Sequence, residues 1–307
     1  MEKKETSNLR VLTHSTYDMD AIWDDKRPFV KEIDIEKSLG WELKPEGLCK
    51  DDSCIPYTPL NEPVSGFVDF LDVTNTLGFS NVLDVELGLA AVDTFSSLRS
   101  SALKDRKAPN IELPDADGEL HSLSEWSDKK KLLVAFSSWW GCAFDLPGWQ
   151  TLFEDLNDKN FIVIAIAIDE NVDAIKELSK DVTYPVLIDA YHLFSDLYAV
   201  SNVPTVIWVD ENDTIVRPNA GEFGTDTFSE LTGISCIDHM NQVKAWVNAG
   251  EVPDDATLTV EDFNTDEIKA RLHFRIAADT RSEYHFQKAE ELAPCLLYTS
   301  DAADDTP

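Results

Sequence analysis

The sequence predicts an α/β fold: a central mixed sheet flanked by helices, with a small α+β unit before it and a helical hairpin after it. Strand-like and helix-like segments alternate between residues 105 and 222, which is typical of a sheet with parallel pairing. Two of the strands, 131–138 and 161–168, are continuous apolar runs, as expected for strands buried on both faces. After Gly224 the pattern becomes helical.

Length and charge limit the function classes. The 307 residues predict two or three domains. With 26 basic and 58 acidic residues the formal net charge is −32, which argues against nucleic acid or an anionic membrane as the main partner. No run reaches the roughly 18 apolar residues of a membrane span, and residues 1–20 contain no apolar segment of a signal peptide. We therefore expect a cytoplasmic protein.

Residues 1–104 are predicted to form the small α+β unit. Residues 1–27 are polar and predicted to be irregular, and a helix is predicted over 66–77. Cys49 and Cys54 flank four residues of a turn. They are either an auxiliary redox pair or two reduced or hairpin-bridged cysteines. Zinc is not expected, because no further ligand pair follows at suitable spacing.

Residues 105–222 contain the clearest pattern. After the strand at 131–138, Leu146, Trp149 and Leu152 fall on one face of a helix over 146–156. The pattern then predicts, in order, a strand at 161–168, helix 171–180, strand 185–188, helix 191–200, strand 205–209, a turn at 210–213 and a paired strand at 214–216.

Residues 223–294 are predicted to be a helical region. One helix covers 237–248 and is closed by Gly250, and a helix pair covers 266–278 and 282–292. The second helix of the pair resembles that of a tetratricopeptide repeat. The pair is therefore either a docking surface for a protein partner or an ordinary amphipathic hairpin. Residues 295–307 resemble a translated sequencing adaptor, so we expect the natural chain to continue differently after Pro294.

Two segments suggest chemistry. Cys142 follows a buried strand directly before a helix, where the helix dipole and free N–H groups stabilise a thiolate. Pro204 immediately precedes the strand at 205–209, and we predict a cis bond before it. Cys236, at the start of a helix, is expected to serve packing.

Together these segments resemble the redoxin group of the thioredoxin superfamily, the ResA/TlpA-like and AhpC/TSA-like proteins. The resemblance rests on residues 108–118, 139–147, 183–187 and 203–205, within a little over a third of the chain. It implies a thioredoxin-like fold in which Pro204 faces the redox thiol. A subgroup with a Trp-Ala-x-x-(Sec/Cys)-Gly-Cys motif is more similar still, since its Asp-Leu-Pro and Trp-Gln sequences recur at 145–147 and 149–150.

The chain departs from that subgroup at its first redox position, where Trp140 stands. Tryptophan forms neither a thiolate nor a disulfide. Either a UGA codon for selenocysteine has been translated as Trp, which we favour, or Trp140 is genuine and Cys142 acts alone. In the first case residue 140 attacks and Cys142 resolves the intermediate. In the second, Cys142 forms a sulfenic acid or a mixed disulfide that an external thiol must resolve.

The sequence thus predicts a thiol-disulfide oxidoreductase without a cofactor or metal. Its partners would be a disulfide-containing protein, or a small disulfide or peroxide, together with an external thiol reductant. The alternatives are a peroxiredoxin-like hydroperoxide reductase that uses Cys142 alone, and a non-catalytic interaction module. Besides Cys142 and residue 140, the predicted site has a substrate groove formed by Trp139, Gly141, Val203, Pro204 and Thr205.

Overall fold

The computed structural model describes residues 6–59, 65–139, 141–257 and 259–294. They form two compact units. The first contains the described residues up to Ser96 and those from Phe263 onward, and the second runs from Ser97 to Asp262. This grouping differs from the predicted boundaries at 104 and 222, because the helices after residue 222 are divided between the two units. None of the helices in the described ranges is both long enough and apolar enough to cross a bilayer.

The first unit is built on a six-stranded sheet with the order β7-β3-β2-β1-β9-β8 and a separate three-stranded sheet, β4-β5-β6. Its N-terminal elements are β1 (Thr6–Leu12), β2 (Thr16–Asp24), β3 (Arg27–Lys31), α1 (Glu32–Leu39), β4 (Glu42–Lys44), β5 (Gly47–Lys50), β6 (Ser53–Ile55), β7 (Phe67–Asp69), α2 (Phe70–Thr76), β8 (Asn81–Asp84) and β9 (Leu89–Val92).

The prediction that residues 1–27 are irregular was wrong, since β1 and β2 form an antiparallel hairpin in this sheet. Every second residue faces the core, so that Leu9, Val11, Met19 and Ala21 are buried. The residues between them are mostly polar. Each strand therefore holds few apolar residues, and its period-two pattern is weak in the sequence. Residues 66–77 also differ, because the helix is preceded by strand β7.

The C-terminal helix pair consists of α9 (Thr265–Thr280) and α10 (Glu283–Leu292) and belongs to the first unit. Leu272 and Ile276 of α9 pack against Leu12, Leu89 and Ala91 of the six-stranded sheet. The pair therefore covers apolar surface of the N-terminal sheet, as an amphipathic hairpin does, and this face of α9 is not free for a protein partner.

The second unit is built on a five-stranded sheet with the order β14-β13-β12-β15-β16. Strands β12, β13 and β14 are parallel to one another, and β15 is antiparallel to both of its neighbours, β12 and β16. This mixed topology confirms the predicted thioredoxin-like fold. The elements are α3 (Ser96–Lys104), β10 (Glu112–Pro114), β11 (Leu120–Ser122), β12 (Lys130–Phe136), α4 (Leu146–Asp155), β13 (Phe161–Ala167), α5 (Val172–Ser179), β14 (Val186–Ile188), α6 (Leu193–Leu197), β15 (Thr205–Val209), β16 (Ile215–Ala220), α7 (Ser229–Thr232) and α8 (Cys236–Ala249).

Helix α8 packs on this sheet through aromatic contacts. The rings of Trp208 and Trp246 stack with their centroids 4.9 Å apart, and Trp208 Nε1 donates a hydrogen bond to His239 Nε2 at 3.3 Å. Burial lowers the pKa of His239 to about 3, so its ring is neutral at pH 7. These contacts explain why the residues that follow β16 belong to the second unit.

Candidate active site

The predicted site segments converge at one edge of the five-stranded sheet. Because β12, β13 and β14 are parallel, their C-terminal ends meet at this edge. Strand β15 runs in the opposite direction, and its first residue, Thr205, pairs with Ala135 near the end of β12. The loop after β12 and the loop before β15 therefore leave the sheet side by side. These two loops, together with Thr205 at the start of β15, contain the residues predicted for the attacking thiol and the groove.

The loop after β12, residues 137–145, is called here the redox turn. Ser137 is buried, whereas the Trp139 side chain is 45% exposed. A short 3-10 helix spans Gly141–Asp145, and α4 follows directly. The backbone of Cys142 lies in this 3-10 helix; its side chain and the whole of Trp140 lie outside the described part of the chain. Cys142 thus precedes the ten-residue α4 on its N-terminal, electropositive side.

The carboxylate of Asp169 holds the beginning of the redox turn. It accepts hydrogen bonds from Ser138 N at 2.7 Å and from Ser138 Oγ at 2.9 Å. It also accepts one from Asn171 N at 3.2 Å. From the sequence, an acidic residue after a strand suggests helix capping. The fixation of Ser138 has no sequence signal, because the two residues are 31 positions apart.

Residues 221–236, called here the strap, cross from the end of β16 to the start of α8 and pack on the redox turn. A Cβ atom built on Gly141 would lie 2.3 Å from the ring of Phe228, so this ring covers the backbone of Gly141. A Cβ on Gly148, in the first turn of α4, would lie 1.8 Å from the carbonyl oxygen of Gly224. The two glycines therefore permit a close approach that any side chain would prevent.

Hydrogen bonds to Asp145 fasten the strap further. Asp145 Oδ1 accepts from Thr225 N and from Thr225 Oγ1, both at 2.8 Å. The residue is only 1% exposed, and its Oδ2 has no hydrogen-bond partner among the described residues. Burial raises the pKa of the Asp145 carboxyl, and the bonds from Thr225 oppose this rise.

Cys236 lies at the C-terminal end of the strap, in the first turn of α8. It is half-buried, and its backbone N donates to Asp226 Oδ1 at 2.8 Å. Burial raises the pKa of its thiol to about 11, and the hydrogen bond and charge of Asp226 and the charge of Asp145 act in the same direction. The sequence predicted a packing residue here. The structure adds a connection to the redox turn through two acidic residues.

The loop before β15 forms the other side of the candidate groove. The Val203–Pro204 peptide bond is cis, as predicted. Val203 is buried, and Thr205 Oγ1 donates a hydrogen bond to Asn202 O at 2.6 Å. Trp139 and Gly141 of the redox turn lie at this same edge of the sheet.

A second buried carboxylate, Asp189, follows β14 at the same edge. Its Oδ2 accepts from Ser195 N at 3.2 Å and from Ser195 Oγ at 3.4 Å. Its Oδ1 has no hydrogen-bond partner in the described ranges, and the residue is 1% exposed. Burial raises its pKa to about 7. Sequence reasoning missed this group, because an aspartate after a short strand looks like a loop residue.

Cys49 and Cys54 lie in the first unit and form a disulfide with an S–S distance of 2.02 Å. They face each other across β5 and β6, with Cys49 buried and Cys54 exposed. Of the alternatives left open by the sequence, the structure excludes two reduced cysteines, since a bridged hairpin pair and an oxidised auxiliary redox pair both contain this bond.

One group of residues in the described chain has the composition of a cation site: Asp115, Glu119 and His121 of the β10–β11 hairpin. Both ring nitrogens of His121 already face carboxylates, with Nδ1 3.2 Å from Glu125 and Nε2 3.5 Å from Asp115. The hydrogen bond to Glu125 is the largest of the effects that raise the pKa of His121. The contacts of His121 with Glu125 and Asp115 account for this group without a metal.

Comparison with known proteins agrees with the resemblance seen in the sequence. Residues 105–217 match the model of the AhpC/TSA family. The chain is similar to the thiol-disulfide oxidoreductase ResA of Halalkalibacterium halodurans, with 26% identity over 49% of this chain and 89% of the relative. It is also similar to ResA of Bacillus subtilis, with 23% identity over 56% of this chain and 94% of the relative.

Among solved structures, the thioredoxin domain of a thiol-disulfide oxidoreductase from Bacteroides vulgatus matches 46% of this chain and 96% of its own. The identity is 19% and the TM-score 0.39. The family match and the similarity to ResA proteins agree with the resemblance of this part of the chain to ResA-like redoxins.

Proposed function

We propose that the protein is a thiol-disulfide oxidoreductase whose reactive thiol belongs to Cys142. One observation carries the proposal: the backbone of Cys142 lies in the 3-10 helix that leads into the N-terminus of α4, at the sheet edge from which the Pro204 loop also leaves. A thiol in this position is activated, because the helix dipole stabilises the thiolate. The similarity to ResA proteins, which are named thiol-disulfide oxidoreductases, supports the same function.

The proposed reaction begins when the Cys142 thiolate attacks a sulfur of the substrate disulfide. A mixed disulfide forms on Cys142 and the first substrate thiol leaves. Trp139, Gly141 and the loop 203–205 form the groove in which the substrate lies. The substrate is a disulfide-containing protein or a small disulfide, and an external thiol returns the enzyme to its reduced state.

Residue 140 is the finer part of the proposal. In the natural protein we expect a UGA-encoded selenocysteine at this position, which would attack first, with Cys142 as the resolving thiol. The match to the Asp-Leu-Pro and Trp-Gln sequences of the selenocysteine-containing subgroup supports this expectation. Resequencing the native locus tests it: TGA followed by a stem-loop is the expected result, whereas TGG would establish Trp140 as genuine.

The function is tested by the catalysed reduction of glutathione disulfide, with an excess of dithiothreitol as the reductant. The rate of the same reaction without the protein is subtracted. We expect catalysis by the unaltered chain and none by Cys142→Ser. A double variant, Cys49→Ser with Cys54→Ser, is the matched control and should remain active, because that pair lies in the other unit. Full activity of Cys142→Ser would refute the proposal.

A parallel assay with hydrogen peroxide separates the alternative activity. The AhpC/TSA family match is the observation that keeps a peroxidase in consideration. Consumption of peroxide without any reaction with disulfides would favour a hydroperoxide reductase that forms a sulfenic acid on Cys142. A reduced protein that reacts with neither substrate would be a thioredoxin-fold interaction module.

A further inference from the structure

We propose that the surface around the candidate site binds polypeptide disulfides that carry basic and apolar residues beside their cysteines. This substrate class rests on the proposed function, since it presupposes that the protein reduces disulfides. The surface, called here the site edge, consists of the loops that follow β12, β13 and β14, together with the strap and the first turn of α8. Its loops are adjacent, contain no basic residue and expose apolar side chains.

Main-chain hydrogen bonds hold the three loops side by side. Ile168 N donates to Phe136 O at 2.8 Å, just after β13 and at the end of β12. Asp189 N donates to Ala167 O at the same distance, which joins the end of β14 to the end of β13. The loops after β12, β13 and β14 therefore leave the sheet at the same level.

The strap completes this surface. Thr225 donates two hydrogen bonds to Asp145 at the end of the redox turn, both at 2.8 Å. The next residue of the strap, Asp226, accepts a hydrogen bond from Cys236 N at 2.8 Å, which holds the beginning of α8 beside it. The site edge is therefore one continuous surface of the second unit.

The charged side chains of the site edge are acidic. Its loops contain no lysine or arginine, since none occurs in residues 132–158, 160–175, 181–216 or 218–243. Exposed carboxylates lie in the first turn of α5, in the strap and in the first turn of α8: Asp173, Asp226, Glu230 and Asp238. Such a surface attracts cations and repels anions, over about 10 Å at an ionic strength of about 0.1 M.

The opposite edge of the same sheet carries charges of both signs. Lys129 and Lys130 lie at the beginning of β12, and Lys159 lies shortly before β13. Exposed acidic residues lie among them: Asp128, Asp158 and Glu211. The lack of basic residues is thus specific to the site edge and does not follow from the net charge of −32 alone.

Exposed apolar side chains accompany the carboxylates. Most of the exposed large apolar side chains in the described part of the second unit lie at the site edge: Trp139, Phe144, Val172, Tyr191, Ile234 and Ile237. Phe144 of the redox turn is 64% exposed, and Ile237 in the first turn of α8 is 58% exposed. Covering apolar surface is favourable in water, and apolar patches bordered by polar groups are typical of protein-binding sites.

Charge and apolar exposure together determine which partner fits. A small anionic disulfide such as glutathione disulfide is repelled and covers little of the apolar surface. A second copy of this chain would present the same acidic loops and would be repelled as well. A polypeptide with basic and apolar residues on both sides of its disulfide complements both properties, and such complementarity increases the association rate and disfavours other partners.

The experiment compares four symmetrical peptide disulfides as substrates of the full-length chain. Each peptide has the form acetyl-X-Z-Cys-Z-X-amide, where X is lysine or glutamate and Z is leucine or serine. Dithiothreitol is the reductant. Each kcat/KM is divided by the rate constant for reduction of the same peptide by dithiothreitol alone, which removes differences in the intrinsic reactivity of the peptides.

We expect this ratio to be at least about tenfold higher for the lysine–leucine peptide than for the glutamate–leucine peptide at low salt. The preference should shrink at an ionic strength of about 0.5 M, because exposed charges are then screened within a few ångströms. The lysine–leucine peptide should also exceed the lysine–serine peptide by about fivefold or more, since its leucines cover apolar surface.

Two variants with the same net charge locate the electrostatic effect. The site variant combines Asp173→Asn, Glu230→Gln and Asp238→Asn. The matched control removes three exposed carboxylates of the opposite edge and combines Asp128→Asn, Asp158→Asn and Glu211→Gln. We expect the site variant to lose most of the preference for lysine over glutamate and the control to retain it.

A second pair of variants tests the apolar contacts. Ile237→Ser should reduce the preference for leucine over serine, because Ile237 lies at the site edge. Val252→Ser should leave that preference unchanged, since Val252 is also exposed but follows the other end of α8. Equal effects of the two substitutions would contradict a role of the site edge in binding leucine side chains.

Equal ratios for the lysine and glutamate peptides would overturn the inference, as would a preference that the site variant and its control lose to the same extent. A dimer in sedimentation that Ile237→Ser disperses would also overturn it, because a second copy would then cover the apolar side chains.

The failure of the proposed function has a different signature. None of the four peptides would then be reduced faster than by dithiothreitol alone. In that case the inference is decided by binding, measured by fluorescence anisotropy with labelled peptides in which serine replaces cysteine. Tighter binding of the lysine–leucine peptide than of the glutamate–leucine peptide, lost in the site variant, would support the inference, and equal binding would overturn it.

Discussion

Replacement of Asp189 by asparagine removes a buried group whose protonation is coupled to folding. In the folded chain the pKa of Asp189 is about 7, because the residue is buried at the end of β14. In the unfolded chain a carboxyl titrates near about 3.9. Between these two values the folded state holds a proton that the unfolded state does not. The contribution of Asp189 to stability is therefore complete below the unfolded pKa and is lost as the pH rises through the folded pKa.

The magnitude follows from the two pKa values. Each unit of difference is worth about 1.4 kcal/mol of free energy of unfolding. Between pH 5 and pH 8 the Asp189 contribution then falls by about 2.5 kcal/mol. The direction is opposite to that of an ion-paired aspartate, whose contribution increases as the pH rises through the unfolded pKa and is already complete at pH 5. The asparagine side chain of the variant does not titrate, and its oxygen can still accept the bonds from Ser195.

Hydrogen exchange followed by mass spectrometry measures this effect on the second unit alone, from peptides that cover β12 to β15. The free energies of exchange of the unaltered chain and of Asp189→Asn are compared at pH 5 and pH 8, after correction for intrinsic rates. We expect the difference between the two proteins to shift by about 2.5 kcal/mol in favour of the variant at the higher pH. An unchanged difference, or a shift in the other direction, would refute the assignment of a neutral, buried Asp189.

Three further predictions concern the second unit. Asp169→Ala should increase the rate of amide hydrogen exchange in the redox turn roughly ten- to a hundredfold, because the two hydrogen bonds from Ser138 to the Asp169 carboxylate are lost. The rate of hydrogen exchange in the central strands should stay constant. Gly148→Ala should destabilise the unit by about 1 to 3 kcal/mol in thermal denaturation, since its Cβ would collide with Gly224; unchanged stability would contradict the close approach. The unaltered chain should lose stability as the pH falls below about 6.5, because the pKa of His239 is lower in the folded chain than in the unfolded chain. In His239→Gln the free energy of unfolding should therefore decrease less over the same pH range.

The sequence was most informative where burial is complete. Strands β12 and β13 are apolar except for the two lysines that begin β12, and they are almost wholly buried, so their composition indicates their position in the sheet. The cis bond before Pro204 and the position of Cys142 between β12 and α4 could also be predicted, because the place of each relative to the neighbouring elements is a local property. Strands β1 and β2 were missed, since only alternate residues contribute to the core.

Contacts between distant residues were not predictable in the same way. Asp169 reaches Ser138, and Thr225 reaches Asp145, over 31 and 80 positions. Such pairs leave no periodic signal in a single sequence. For the strap, the signal available was a glycine, Gly224, in a segment with few apolar residues, and from the sequence it marks only the point after which the pattern becomes helical. Its function as a cover of the redox turn depends on packing that only the structure shows.

The central claim is that Cys142 carries the activated thiol. The most direct test is the rate of alkylation of each cysteine by iodoacetamide between pH 5 and pH 10, followed by mass spectrometry of the separate peptides. We predict an apparent pKa for Cys142 within about 3.5 to 7.5, the range of thiols at helix N-termini. Cys236, measured in the same samples, should react only toward the alkaline end, in accord with a pKa of about 11. A Cys142 thiol that titrates at the ordinary value near about 8.5 or above, and reacts no faster than Cys236 at pH 7, would contradict the claim.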